Sequence, residues 1–129
     1  MDARKVTDDF NAQNMPGVLF HPFYFEPFYG RFKGEFCQGV RIIVTDIHTF
    51  RPVEVSYRII SSLIRLYPAR CNLKQSGIEE KLKMFDRVNG TDRIRVMLQD
   101  GQPADAVIAS YRPALEAFMK KRAQYLLYR

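Results

Sequence analysis

The chain has 129 residues, 47 % of them hydrophobic and 26 % charged, a length and balance that suit one globular domain and leave no room for a second. No run approaches the roughly 18 consecutive apolar residues that a membrane-spanning helix requires. The net charge of +6, from 20 basic and 14 acidic residues, is spread along the chain. The one tight cluster, Lys120-Lys121-Arg122, suits the C-terminal end of a helix, so nucleic acid is a disfavoured partner.

The opening MDARKVTDDFNAQN has neither the apolar region nor the small-residue cleavage site of a signal peptide. Val6 and Phe10 stand four apart in it, and residues 2–14 read as a short amphipathic helix stopped by Met15-Pro16-Gly17. A domain that starts on such a polar helix looks like a piece excised from a longer protein. From Val18 to Phe36 aromatic residues are dense, and Pro22, Pro27, Gly30 and Gly34 exclude a long helix in favour of extended segments and loops. Val40–Thr45, β-branched and bounded by Gly39 and Asp46, is the clearest strand and is expected at the centre of a small sheet.

Pro52 suits the first turn of a helix, and Val53, Tyr57, Ile60, Leu63, Ile64 and Tyr67 follow at helical spacing until Pro68. A second helix is predicted from Ile78 to Val88, with Leu82 and Phe85 on one face and Gly90 as its left-handed stop. Thr91 or Asp92 then caps a third, in which Ile94, Met97 and Leu98 face inward and Gly101 follows the end. Pro103 and Asp105 open the last helical region, striped by Val107, Ile108, Tyr111, Leu115, Phe118 and Met119. Pro113 predicts a kink there, or two helices meeting near Arg112. Tyr125–Tyr128, four large apolar or amphipathic residues in a row, reads as a buried terminal segment. The fold class is α+β: a small mixed sheet in the N-terminal half packed with three to five helices.

The acids inside the unusual region are Glu26, Glu35 and Asp46. Glycoside hydrolysis needs a pair of carboxyl groups at a set separation, and Glu26, flanked by Phe25, Pro27 and Phe28, would have the raised pKa of a general acid if buried. The competing reading is a carboxylate that accepts backbone N–H groups in a turn. Asp46, directly after a strand, equally suits a loop or cap. His21 and His48 share no helix face and stand beside no ligand cluster, so neither a metal nor a cofactor is expected. Cys37 and Cys71 lack the C-x-x-C spacing of a metal or redox pair, and their disulfide status stays open. Gly30, Gly34 and Gly39 do not follow a phosphate-binding spacing. Among Phe23, Tyr24, Phe25, Phe28, Tyr29 and Phe32, more than half are expected in core or interface, with about two left for stacking on sugar rings or bases.

Several ordered segments carry a resemblance. Phe25-Glu26-Pro27 is followed by Gly34-Glu35-Phe36-Cys37-Gln38-Gly39-Val40, then by Val44-Thr45-Asp46 and Phe50-Arg51-Pro52-Val53. Phe85-Asp86, Gly90-Thr91-Asp92 and Tyr125–Tyr128 continue the series. Over nearly its whole length the chain resembles the C-terminal domain of the bacterial exo-β-N-acetylmuramidases, glycoside hydrolases of cell-wall recycling. It departs at Phe28-Tyr29-Gly30-Arg31, where many relatives read T-F-S-K, and at Ile43, where they often carry His. The resemblance implies an auxiliary domain that closes one wall of a cleft against an N-terminal Rossmann-like catalytic domain, in an exported parent that releases terminal N-acetylmuramic acid from peptidoglycan fragments. Glu26, Glu35, Asp46, Tyr24 and Phe28 are then the candidate contacts to a muramic-acid-containing glycan or to the domain interface. The family's catalytic glutamate lies in the domain absent here, so this chain alone should be inactive. The alternative is a stand-alone binding module for an anionic glycan or nucleic acid.

Overall fold

The computed structural model describes residues 1–71, 73 and 79–127. These form five helices and one two-stranded sheet, the α+β arrangement anticipated, with the sheet in the N-terminal half. The chain divides into two compact units, Met1–Asn72 and Leu73–Arg129.

The first unit opens with α1, Ala3–Ala12, a helix because Asp2 precedes it: the Asp2 carboxylate accepts from the backbone N–H of Arg4 at 3.0 Å and of Lys5 at 3.1 Å, satisfying two first-turn donors. Its buried face carries Ala3, Val6, Thr7 and Phe10. The chain reverses through Asn14 and Gly17 into strand β1, Val18–Phe25. This pairs antiparallel with β2, Cys37–Val44, so that Val18 faces Val44 and Phe25 faces Cys37. With two strands in the sheet, the segment expected at a sheet centre is an edge instead. Of its β-branched residues Val40 packs against the core, while Ile42, Ile43 and Val44 are exposed: β-branching reports fit to a pleated surface, not neighbours on both sides. Pro22 sits in β1 without disrupting it, as an edge strand allows.

Helix α2, Pro52–Leu66, begins at the proline anticipated for it. Val6, Phe10, Met15, Val18, Phe20 and Val55 form the core, with Val40, Ile59, Leu63 and Leu66 against it. The Phe10 and Phe20 rings meet edge to face at 5.1 Å. Val53, predicted on the apolar stripe, is exposed. Gln13 donates to the buried Ser62 hydroxyl at 2.9 Å, and Asp9 pairs with Arg65. Partial burial pushes the Asp9 carboxyl up, but the bonds from Arg65, Ser62 and Gln13 outweigh it and hold it below the usual carboxylate range.

The second unit holds α3, Glu79–Asn89, α4, Arg93–Gln99, and α5, Ala104–Ala123; Ile78, the predicted start of α3, lies outside the described residues. Gly90 and Gly101 take the left-handed conformation, φ 69° and 73°, after α3 and α4, as helix stops require. The Thr91 hydroxyl, not the Asp92 carboxylate, accepts from the Arg93 N–H. Ile94, Leu98, Ala104, Val107 and Ile108 are buried. Arg95 grips Asp86 with a two-pronged bond, 2.9 Å on each prong.

Two expectations are corrected in this unit. α5 is one helix through Pro113, not two helices meeting near Arg112: the lost bond frees the carbonyl of Ala109, an exposed residue, which solvent can reach. The terminal YLLY is not buried: Tyr125, Leu126 and Leu127 are exposed, as are Leu115, Phe118 and Met119, while Tyr128 lies outside the described residues. The first two turns of α5 already fill the small core beside α4, and the apolar stripe outlasts what there is to cover it. Among the described residues no helix is long and apolar enough to cross a membrane.

Candidate functional site

The β1–β2 ribbon has two unlike faces, set by the alternation of side chains along each strand. Val18, Phe20 and Val40 point to the core under α1 and α2. The other face carries the cross-strand pairs Leu19–Ile43, His21–Arg41, Phe23–Gly39 and Phe25–Cys37. There the Phe23 and Phe25 rings stack at 5.2 Å, and the Arg41 guanidinium lies over Phe23 at 4.2 Å. Gly39 leaves the space that the Phe25 ring uses: a Cβ on it would touch that ring at 3.5 Å.

Beyond the last strand pair, residues 26–36 form the connecting loop. It is closed by Gly34 N–H donating to the Pro27 carbonyl at 3.1 Å, Lys33 N–H to Gly30 at 3.2 Å and Glu35 N–H to Phe32 at 3.0 Å. Gly30 and Gly34 have φ of 87° and 74°, conformations that favour glycine. Glu26 and Glu35 therefore stand on opposite limbs of one tip, both exposed. The burial that would make Glu26 a general acid is absent in this chain.

The aromatic residues are not in the core of this chain. Tyr24, Phe25, Phe28, Tyr29 and Phe32 are all exposed, Phe28 at 88 % and Tyr29 at 83 %, and Phe23 alone of the six is partly covered. α1 reaches the ribbon as far as Gln38, whose side-chain oxygen accepts from the Ala3 N–H at 3.2 Å, while nearly all of the loop beyond is exposed. The tip is nonetheless ordered by its own rings. Tyr24 and Phe36 lie nearly parallel, centroids 6.1 Å apart at 13°, and Arg31 lies over Phe32 at 5.2 Å. Phe36 was not among the predicted contacts. Its signal was parity: it stands two residues before Gln38, the partner of Tyr24, and so shares that ring's face.

Asp46 is not part of this tip. It follows β2 at the end where Val18 faces Val44, seven residues along the ribbon from Phe25–Cys37, roughly 20 Å at the rise of an extended strand. Its carboxylate accepts from His48 N–H and from the Thr49 hydroxyl, each at 2.9 Å, and its carbonyl accepts from Phe50 N–H at 3.0 Å. The His48 N–H, then the Thr49 hydroxyl, hold the carboxyl below its ordinary value. Both side-chain oxygens thus serve their own turn. Gly17 packs directly beneath: a Cβ there would stand 2.4 Å from the Asp46 carbonyl. Against this end lies a cleft of about 390 Å³ lined by Asn11, Asn14, Leu19 and Thr45 among others, with no charged side chain.

Among the described residues no three His, Cys, Asp or Glu side chains gather where an ion could sit, and Cys37 and Cys71 are free thiols.

The family model described as "Exo-beta-N-acetylmuramidase NamZ, C-terminal" matches residues 1–128. The chain belongs to the NamZ C-terminal family. It is 30 % identical over 124 residues to the peptidoglycan β-N-acetylmuramidase NamZ of Bacillus subtilis (strain 168), a match covering 96 % of this chain and 28 % of that protein. The crystal structure of a DUF1343 family protein from Bacteroides fragilis NCTC 9343 superposes with a TM-score of 0.86 at 28 % identity, over 100 % of this chain and 33 % of that one. This NamZ C-terminal chain spans about a third or less of the length of these relatives.

Proposed function

We propose that the chain is the auxiliary domain of an exo-acting N-acetylmuramidase, and that the tip of its ribbon lines one wall of the cleft that holds terminal N-acetylmuramic acid. The opposite wall and the catalytic carboxyl group come from an N-terminal Rossmann-like domain of the longer protein, which acts outside the cytoplasm where peptidoglycan lies. The observation that carries this reading is the exposed tip itself: aromatic faces and two carboxylates on a loop held rigid by its own backbone bonds.

The chemistry fits a pyranose. The stacked Tyr24 and Phe36 rings offer apolar surface to a sugar's C–H face, and Phe28, 88 % exposed in the same loop, offers another. Carboxylates accept strongly from sugar hydroxyls, a role for Glu26 and Glu35. Arg31 and Lys33 in the same loop draw the lactyl carboxylate toward the tip. Asp46 serves from a distance, by fixing the base of the ribbon. The reaction needs a carboxyl pair at a defined separation, and the tip contributes orientation of the sugar rather than the attacking group.

The test uses the full-length family protein that carries this domain, with release of N-acetylmuramic acid from a muramic-acid-terminated disaccharide as the readout. Glu26→Gln and Phe28→Ala should each lower kcat/KM by about tenfold or more, with unchanged thermal stability. Near-normal turnover in both variants would remove the tip from the substrate site.

A further inference from the structure

The outer face of the ribbon is uncovered in this chain, and its composition is unlike that of a solvated sheet face. Leu19 is 55 % and Ile43 41 % exposed, although they are directly opposed and apolar. Further along the same face, beyond the His21–Arg41 pair, Phe25 is exposed and stacked on Phe23. A half-buried antiparallel sheet ordinarily alternates apolar inward and polar outward, whereas this ribbon carries large apolar side chains on both sides. Exposed apolar surface of this kind marks an interface, and an isolated two-stranded ribbon gains stability from packing on its second face.

The polar side chains on this face are His21 and Arg41. His21 bonds through Nδ1 to the Pro22 carbonyl at 2.9 Å. The Arg41 guanidinium carbon stands 4.2 Å from the centre of the Phe23 ring, with no carboxylate beside it among the described residues. A guanidinium held over an aromatic face still has N–H donors to offer a planar acceptor. The family relatives supply the remaining observation: two thirds or more of their length lies outside the matched region, so a large part of the polypeptide needs a seat.

We propose that this outer face, running from Leu19 and Ile43 past Arg41 to Phe23 and Phe25, is where the N-terminal portion of the longer protein docks, and that a carboxylate of that portion meets Arg41. The inference rests on the reading above that the chain is one domain of a longer protein. It adds which face makes the contact. With the face so covered, the ribbon is clamped on both sides while its tip remains free to reach the cleft.

Cys37, on the same face opposite Phe25, is a built-in reporter, and Cys71 is an internal reference. Maleimide labelling of each thiol would be followed by mass spectrometry in the full-length family protein and in the 129-residue chain. Cys37 should label roughly tenfold or more slowly in the longer protein, and Ile43→Asp or Arg41→Glu should restore its rate. Equal Cys37 rates in the two proteins would overturn the proposal. So would protection that rises with protein concentration alongside a dimer seen by light scattering, because the occupant would then be a second copy. Turnover of Phe28→Ala is read separately: if it falls while Cys37 stays open, the glycan reading stands and this interface does not.

Discussion

At the Val18–Val44 end of the ribbon, apolar rings and backbone groups find partners. Phe20 packs on Phe10, and its N–H and carbonyl are both taken by the Asn11 side-chain amide, at 3.0 and 2.9 Å. Asn11 does there what a third strand would do. At the Phe25–Cys37 end, Phe28, Tyr29 and Phe36 stand in water, and the loop is held by three backbone bonds of its own. On the core side the base is built for stability, whereas the tip and the outer face of the ribbon are left for contact. Buried surface holds the fold, whereas surface kept for a partner contributes nothing to folding until that partner arrives.

The sharpest way to break this comparison is to remove one aromatic ring from each end. Phe10→Ala empties a site of which only 3 % is accessible, and should cost about 3–5 kcal/mol in denaturant unfolding. Phe28→Ala should stay within about 0.5 kcal/mol of the parent chain, as an exposed position does. Equal losses would mean that the tip is part of the folding core after all.

A second pair uses glycine. Gly17 and Gly30 both have positive φ, 71° and 87°, so alanine is strained at either. The space around them differs: a Cβ at Gly17 meets the Asp46 carbonyl at 2.4 Å and the Phe50 nitrogen at 2.7 Å, while at Gly30 nothing lies within 4 Å. Gly30→Ala should therefore cost about 1 kcal/mol, from backbone strain alone. Gly17→Ala should cost about 2–3 kcal/mol or more, because backbone on both sides must also move. Matching midpoint shifts in thermal unfolding would deny that the base is tighter than the tip.

The base was the more legible end in the sequence. Val6 and Phe10 four apart, the stop at Met15-Pro16-Gly17 and Pro52 before a periodic run each act locally, and α1 and α2 appear where those signals stand. Gly90 and Gly101 marked helix ends for the same reason. What failed depends on partners. A run such as Tyr125–Leu127, or the aromatic residues of the tip, is costly in water, but hydrophobicity alone does not say whether its cover lies in the same chain. The segment Val40–Thr45 reads as central, but β-branching reports fit to a pleated surface and not the number of neighbouring strands, and Ile42, Ile43 and Val44 are exposed. Of the candidate acids, Glu26 and Glu35 share one loop by sequence proximity. That Asp46 lies at the far end follows only from the strand register, which a single sequence does not display.

The smallest effect, and the most local, concerns Asp46. Its carboxyl is held below the ordinary 3.8 by the His48 N–H and the Thr49 hydroxyl, so the folded state binds the proton less readily than the unfolded chain does. Stability from this turn is therefore fully present above pH 3.8 and is lost as pH falls through the lower folded value. Asp9 is depressed too and titrates in the same acid range, so global unfolding would mix the two. The His48 and Thr49 amide resonances separate them, since they report the turn alone. In an NMR titration from pH 5 downward these amides should shift with a midpoint below 3.8. Asp46→Asn should abolish that local titration, because its single carbonyl oxygen still accepts one bond but carries no ionisable proton. Loss of the transition in Asp46→Asn, with the resonances of residues 26–36 unmoved, would establish that Asp46 belongs to the base of the ribbon. Coupled shifts at Glu26 or Glu35 would tie the two ends together and undo the division between them.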